Sequence, residues 1–214
     1  MSRTALLLTY RAHAGKRGVY HQVFERIVRP RVEANPGVEL LFRCNDDDDP
    51  DAIHLFELYA ERAVLAEVEN APWLADYNTA IEPILADPME FTFARPVWTK
   101  ETDPVAVDMA SDPPPLGLFV KYRTRGGGRG AIRAAWEERV KPHIEASDAI
   151  RFFFWCEGDD PDVLCLFELY QDRSVLDTAG ATEWFQAYRE VIEPHIAERT
   201  VSRTSAVWIK TPPS

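Results

Sequence analysis

The sequence has few cysteines and no histidine or cysteine pattern typical of a metal site. Its three cysteines, Cys44, Cys156 and Cys165, form an odd set without a CxxC motif, which argues against a disulfide framework and against a zinc site. The five histidines also lack an HxxxH spacing, so a mononuclear metal centre is not expected. We predict that the cysteines are small buried side chains in a reducing compartment.

Long apolar runs and basic clusters are also missing. The longest apolar runs span four or five residues, whereas a membrane-spanning helix needs about 20, and the first residues lack the pattern of a signal peptide. The 24 Lys and Arg residues face 35 Asp and Glu residues, giving a net charge of −11, and this excess of acid repels phosphate backbones and anionic lipids. The sequence therefore predicts a cytoplasmic protein that binds neither nucleic acid nor membrane.

The sequence contains a duplicated pattern. The motif LFELY occurs at residues 55–59 and again at residues 166–170, and each half of the chain ends with a VWxK motif. A Trp stands fourteen residues after each LFELY, and a Tyr follows four residues later; these residues are Trp73 and Tyr77 in the first copy, and Trp184 and Tyr188 in the second. Matching spacings over this length indicate an internal repeat.

An acidic, proline-rich segment separates the two copies. Residues 101–115 carry four acids and four prolines, three of them consecutive, a composition that disfavours helix and sheet and is typical of an extended connector. We therefore predict a first domain at residues 1–100, a linker at residues 101–115 and a second domain at residues 116–214.

The hydrophobic periodicity predicts the same order of elements in each copy. In the first copy, strands are expected at residues 4–11, 38–44, 53–59 and 91–98, and helices at residues 15–34 and 63–86, the second with a break near Pro72. This βαββαβ order is that of a ferredoxin-like plait. Because one plait leaves a sheet face uncovered, we predict an α+β fold in which tandem ferredoxin-like repeats form an intramolecular dimeric α+β barrel, a pseudo-dimer within one chain.

The FELY strand, the charged helix start after it, the helix with Trp and Tyr, and the apolar last strand resemble the antibiotic biosynthesis monooxygenase family. The resemblance implies a dimeric α+β barrel. It also implies that the chain is similar to oxygenases that act on polyketide-type phenols and quinols without a cofactor. In that branch, the pocket lies between sheet and helices and is lined by an Asn, a Trp and an Arg.

Carried onto this sequence, the resemblance implies Asn70, Trp73 and Arg95 as catalytic residues. The second copy has Ala181 and Ser205 in place of Asn70 and Arg95, so the two halves are not equivalent. The expected substrate contacts are Tyr77, His54, Trp184, Tyr188 and Arg203. A Trp and a Tyr four residues apart on a helix are more often part of the core than substrate contacts, and this alternative stays open.

The expected function is that of a cofactor-independent monooxygenase of secondary metabolism, with an aromatic phenol or quinol and O2 as substrates and with neither metal nor flavin. The substrate then supplies the electrons, and the protein positions it, removes a proton and stabilises the anion. Two alternatives remain: a non-oxidative cyclase, isomerase or decarboxylase, and a non-catalytic small-molecule-binding module. A further homodimer is compatible with each of them.

The glutamates of the two LFELY motifs are predicted to be structural. Adjacent first and third strands bring Glu57 within reach of Arg11, and Glu168 within reach of Arg123. Since both partners are duplicated with their strands, we predict two ion pairs that maintain the fold.

Overall fold

The computed structural model describes residues 2–210. It contains two compact units, one made of the residues up to Arg95 together with those from Thr204 onward, and the other of Pro96–Arg203. The units differ from the sequence repeats because the last strand of each repeat is long. Strands β4 (Glu90–Lys100) and β8 (Ile196–Ile209) each begin in one unit and end in the other.

The first unit follows the predicted order of elements. The predicted first helix is divided at Val28, because Pro30 lies in the first turn of the next helix and has no N–H to continue the earlier one. Pro72 divides the second helical region in the same way. Besides its part of β4 and β8, the unit contains β1 (Thr4–Arg11), α1 (Arg17–Ile27), α2 (Arg29–Glu33), β2 (Val38–Asp46), β3 (Ala52–Tyr59), α3 (Arg62–Glu69), α4 (Pro72–Ile81) and a 3-10 turn (Glu82–Ile84).

The second unit repeats this arrangement. Its helical region is divided at Val140, before Pro142, and its third strand pairs antiparallel with both the first and the second. Its elements are β5 (Leu116–Thr124), α5 (Gly128–Arg139), α6 (Lys141–Ala146), β6 (Ile150–Gly158), β7 (Val163–Tyr170), α7 (Arg173–Ala179), α8 (Glu183–Ile192) and a 3-10 turn (Glu193–His195).

The eight strands hydrogen-bond in the closed order β1-β3-β2-β8-β5-β7-β6-β4. The predicted α+β fold, with a tandem βαββαβ order and a closed barrel, is confirmed. Within the described part of the chain, the helices are too short or too polar to cross a membrane.

Strand alternation gives each sheet two different faces. On β7, Leu166, Glu168 and Tyr170 point towards the helices of their unit, whereas Phe167 and Leu169 point to the opposite face and are fully buried. The three cysteines are buried and carry no disulfide, as predicted.

The ends of β4 and β8 each add a tryptophan to the core of the unit in which the strand ends. Trp208 at the end of β8 packs against Phe24 with ring centroids 5.7 Å apart. Trp98 at the end of β4 packs against Trp136 at 5.0 Å. Edge-to-face pairs of this kind contribute about 1 kcal/mol each beyond the apolar area they bury, so both long strands help to stabilise the unit they enter.

The linker segment is partly ordered against the second unit. It contains a 3-10 turn at Pro104–Ala106, and the side chain of Val107 is buried. The amide of Asp108 donates to Gln171 Oε1 at 2.9 Å. The composition predicted an extended connector, and the contacts of Val107 and Asp108 show that part of it packs on the protein.

Candidate active site

Each unit contains a cavity between its sheet and its helices. The second-repeat cavity has a volume of about 410 Å³, and the first-repeat cavity has about 170 Å³. Only the larger volume lies within the usual range of small-molecule sites, roughly 300–1,000 Å³. The second-repeat cavity is therefore the better candidate for a substrate site.

A buried carboxyl group lies in the wall of the second-repeat cavity. Glu168 on β7 is 7% exposed, and the Tyr170 hydroxyl, two residues along the same strand face, donates a hydrogen bond to its Oε2. Burial raises the pKa of Glu168 to about 7, and the hydrogen bond from Tyr170 opposes this shift. The carboxyl can therefore both hold and release a proton near neutral pH.

The ion pairs predicted for the two LFELY glutamates are wrong. Glu57 lies opposite Leu6 on β1, whereas Arg11 lies opposite Ala52, five positions along the pairing. Arg11 instead forms ion pairs with Asp49 and Asp87. In the second unit, Arg123 pairs with Asp160 and Glu198. Both glutamates accept a hydrogen bond from the tyrosine two residues later, Tyr59 and Tyr170 respectively.

A tyrosine hydroxyl and an indole N–H of the second-repeat cavity wall lack hydrogen-bond partners. Tyr188 on α8 is 3% exposed, and within residues 2–210 neither its hydroxyl nor Trp136 Nε1 has a partner. In the first repeat, the equivalent hydroxyl of Tyr77 donates to Tyr20 at 2.9 Å. The second repeat has Ile132 at the position of Tyr20. An unpaired buried hydroxyl costs about 1–3 kcal/mol, and a ligand oxygen would relieve that cost.

An arginine stands beside these groups. Arg199 at the start of β8 lines the cavity, and its guanidinium lies over the ring of Tyr122, 5.6 Å from the centroid. Burial raises the pKa of Tyr122 to about 12, and the charge of Arg199 opposes the shift. Arg199 also pairs with Glu193 Oε2 at 2.7 Å. This end of the cavity combines a positive charge with phenolic hydroxyl groups.

Aromatic rings form another part of the cavity wall. Trp184 stacks on His143, with centroids 4.2 Å apart and planes 13° apart, and meets Phe185 edge to face at 5.7 Å. Phe185 in turn lies 6.0 Å from Tyr188. Such a flat, partly exposed surface can bind an aromatic ring by stacking.

Three of the residues predicted from the sequence line this cavity together. Trp184, Tyr188 and Arg203 all lie in its wall. Arg203 on β8 is also paired with Asp177 Oδ1 at 2.7 Å.

The residues predicted in the first repeat are more dispersed. Trp73 and Tyr77 line the first-repeat cavity. Asn70 caps the end of α3, and its amide donates to the Ala66 carbonyl at 2.7 Å, outside the cavity. Arg95 lies exposed on β4 and is not part of the cavity wall.

His54 lies on the sheet face opposite the first-repeat cavity, because it alternates with the cavity-lining Leu55 and Glu57. Its Nδ1 lies 3.0 Å from Thr9 Oγ1, and its Nε2 lies 2.9 Å from Asp46 Oδ2. Burial lowers the pKa of His54, and Asp46 opposes the shift. Both ring nitrogens are thus held by neighbouring side chains.

Sequence reasoning missed Glu168, Tyr170 and Arg199 as cavity residues. The signal for the first two was the E-x-Y spacing, which places both side chains on one face of the strand. The signal for Arg199 was its position four residues before Arg203, on the same face of the last strand. Across residues 2–210, no group of three or more His, Cys, Asp or Glu side chains could hold a metal ion.

Neither a protein-family model nor a curated relative matches the sequence. The structure is similar to a candidate monooxygenase from Fusobacterium nucleatum, with a TM-score of 0.84 and 13% identity over 98% of this chain and 94% of that chain. It is also similar to a candidate monooxygenase from Lactobacillus acidophilus, with a TM-score of 0.76 and 13% identity over 99% of this chain and 97% of that chain. Similarity to an anthrone oxidase-like protein has a TM-score of 0.72 and 11% identity over 100% of this chain and 94% of that chain. The likeness that the sequence predicted is thus confirmed for the fold, which the chain shares with these proteins over nearly its whole length.

Proposed function

We propose that the protein is an oxygenase that binds an aromatic phenol or enol in the second-repeat cavity and uses neither metal nor flavin. The observation that carries this proposal is the carboxyl of Glu168, buried in the wall of a largely apolar cavity of about 410 Å³, where burial raises its pKa to about 7. A base is most effective when its pKa lies near the working pH. Glu168 meets this condition, and the apolar walls suit an aromatic ring.

Each of four cavity residues has a separate role in the proposed reaction. Trp184 stacks on the substrate ring, and Glu168 accepts the proton of the phenol or enol. The unpartnered Tyr188 hydroxyl donates to the oxygen that becomes negative, and the charge of Arg199 stabilises it further. Deprotonation makes the ring a better electron donor, which is what a reaction with O2 requires when no cofactor supplies electrons.

The proposed reaction balances without an external reductant. For a substrate of the anthrone type, the reacting CH2 group loses two hydrogens and becomes a carbonyl group. One oxygen atom of O2 enters that carbonyl, and the other leaves as water. Glu168 takes the first proton and returns it when the O–O bond breaks and water departs.

The proposal includes a polyketide-type substrate, a role in secondary metabolism and a cytoplasmic location. Similarity to an anthrone oxidase-like protein supports the substrate class, and three buried cysteines without a disulfide support a reducing compartment. Each of these features extends beyond the shared fold, which serves more than one chemistry.

The residues predicted in the first repeat define a competing location. Trp73 and Tyr77 face a cavity that also contains Glu57, whose pKa burial raises to about 7. Asn70 and Arg95 would have to join that site from outside its wall, and His54 from the other face of the sheet. If Trp73→Phe and Arg95→Ala abolish turnover while Glu168→Gln does not, the site lies in the first repeat.

Oxygen uptake tests the proposed reaction. The purified protein, treated with a chelator, is incubated with anthrone and with simple quinols in an oxygen electrode cell. With anthrone we expect one O2 consumed per anthraquinone formed, and no product under nitrogen. Conversion under nitrogen would instead show a non-oxidative enzyme, and a ligand-induced rise in melting temperature without turnover would show a binding module.

A further inference from the structure

The wall of the second-repeat cavity is basic at three positions where that of the first-repeat cavity is uncharged. The last strand contributes Arg199 and Arg203 to the larger cavity, at the positions where the first repeat has Met89 and Phe93. Arg189 on α8 also lines the larger cavity, at the position of Asn78. Three positions of one duplicated framework therefore carry arginine only around the larger cavity.

Arg203 is held in a way that a ligand can replace. It pairs with Asp177 Oδ1, and the two side chains are 41% and 58% exposed. An ion pair this exposed stabilises a protein by about 0–1 kcal/mol. A carboxylate that accepts two parallel hydrogen bonds from a guanidinium binds more strongly, so a ligand carboxylate can displace Asp177 at little cost.

Arg203 is also well separated from the end of the cavity where Arg199 stands. The two residues are four positions apart on one strand, so their Cα atoms lie roughly 13 Å from each other. Arg199 contacts Tyr122, whereas Arg203 contacts α7 through Asp177. A ligand that reaches both arginines therefore carries its anionic group away from the ring oxygen near Arg199.

We propose that the second-repeat cavity takes an aromatic substrate that bears a carboxylate, and that Arg203 binds this carboxylate. The inference rests on the proposed function for the identity of the reacting end of the ligand. Trp184 stacks on the ring between the two ends, and the carboxylate fixes which edge of the ring faces Glu168. Arg203 is thus a specificity-determining residue.

A matched pair of ligands tests the proposal by binding alone. Anthraquinone-2-carboxylate and its neutral carboxamide are titrated calorimetrically into the wild-type protein, Arg203→Phe and Arg133→Ala. Phe is the residue of the first repeat at this position, and Arg133 is a half-buried, ion-paired arginine outside the cavity. We expect the acid to bind about tenfold more tightly than the amide to the wild type.

Arg203→Phe should remove most of the preference for the acid and leave the affinity for the amide within about twofold, and Arg133→Ala should change neither. If Arg203→Phe does not fold, Arg203→Gln takes its place. Equal wild-type affinities for the acid and the amide would overturn the proposal. So would an equal loss of affinity for both ligands in Arg203→Phe. A preference for the acid without any oxygen uptake would refute the proposed oxygenase reaction and leave the carboxylate site supported.

Discussion

The two repeats place the same tyrosine, tryptophan and glutamate on the same elements, yet only one of them leaves a cavity of useful size. In the first repeat, the Tyr77 hydroxyl donates to the Tyr20 hydroxyl, and Phe91 and Phe93 on β4 line the smaller cavity with their rings 5.3 Å apart. The second repeat has Ile132, Val201 and Arg203 at three of these positions. A few residue differences in a duplicated framework can therefore separate a packed core from a candidate site.

The largest expected effect of this difference concerns the two glutamates. Glu168→Gln removes the proposed base, so turnover should fall about 100-fold or more, the low end of what a general base contributes. Glu57→Gln changes the equivalent carboxyl in the smaller cavity and should leave turnover within about twofold. Steady-state kinetics with the substrate identified by oxygen uptake would measure both. Equal losses in the two variants would refute the assignment to one repeat.

The second prediction concerns stability against pH. Because burial raises the pKa of Glu168 from 4.5 to about 7, the folded state holds this proton more tightly than the unfolded state. The resulting stabilisation is complete below pH 4.5 and is lost as the pH rises through 7. Between pH 5 and pH 8, the free energy of unfolding should fall by about 2 kcal/mol more in the wild type than in Glu168→Gln. Parallel denaturant titrations of the two proteins provide the comparison, and identical pH slopes would show that Glu168 is not buried as a neutral acid.

The third prediction converts the second repeat towards the first. Ile132→Tyr should give the Tyr188 hydroxyl the partner that Tyr77 already has, so that this hydroxyl no longer donates to a ligand. We expect affinity for anthraquinone-2-carboxylate to fall about tenfold, with a melting temperature within a few degrees of the wild type. Ile132→Leu serves as the control for repacking. Unchanged binding in Ile132→Tyr would mean that the ligand does not use the space beside Tyr188.

The smallest effect is expected at the stacking residue. Trp184→Phe keeps an aromatic face and should weaken binding by a few fold, since a stacked pair of aromatic rings contributes about 1 kcal/mol. Trp73→Phe is the matched change in the first repeat and should not alter ligand affinity. A larger loss from Trp73→Phe than from Trp184→Phe would move the binding surface to the other repeat.

Much of the fold was predictable because it depends on periodicity and repetition. The alternation of residues 4–11 predicts the first strand at its observed bounds, Thr4–Arg11, and proline chemistry predicts the break near Pro72. Register was harder to predict, since strand alternation does not say which residues of two strands lie opposite each other. That gap explains the wrong ion pair between Glu57 and Arg11.

The candidate site was predictable only in part. The repeated Trp and Tyr spacing pointed to Trp184 and Tyr188, which line the larger cavity. The contribution of Glu168 depends on burial and on the hydroxyl of Tyr170, neither of which a strand pattern reveals. Among the residues that the structure describes, the Tyr188 hydroxyl lacks a partner in the second repeat, where Ile132 stands at the position of Tyr20, and that loss of a hydrogen bond shows only once the helices are packed.

The most direct test of the account is a crystal structure of the protein with anthraquinone-2-carboxylate. We predict density for one ligand in the second-repeat cavity, with its ring on Trp184, one ring oxygen within hydrogen-bond distance of the Tyr188 hydroxyl, and its carboxylate on Arg203. Density in the first-repeat cavity, or a ligand that leaves Glu168 and Tyr188 uncontacted, would contradict it.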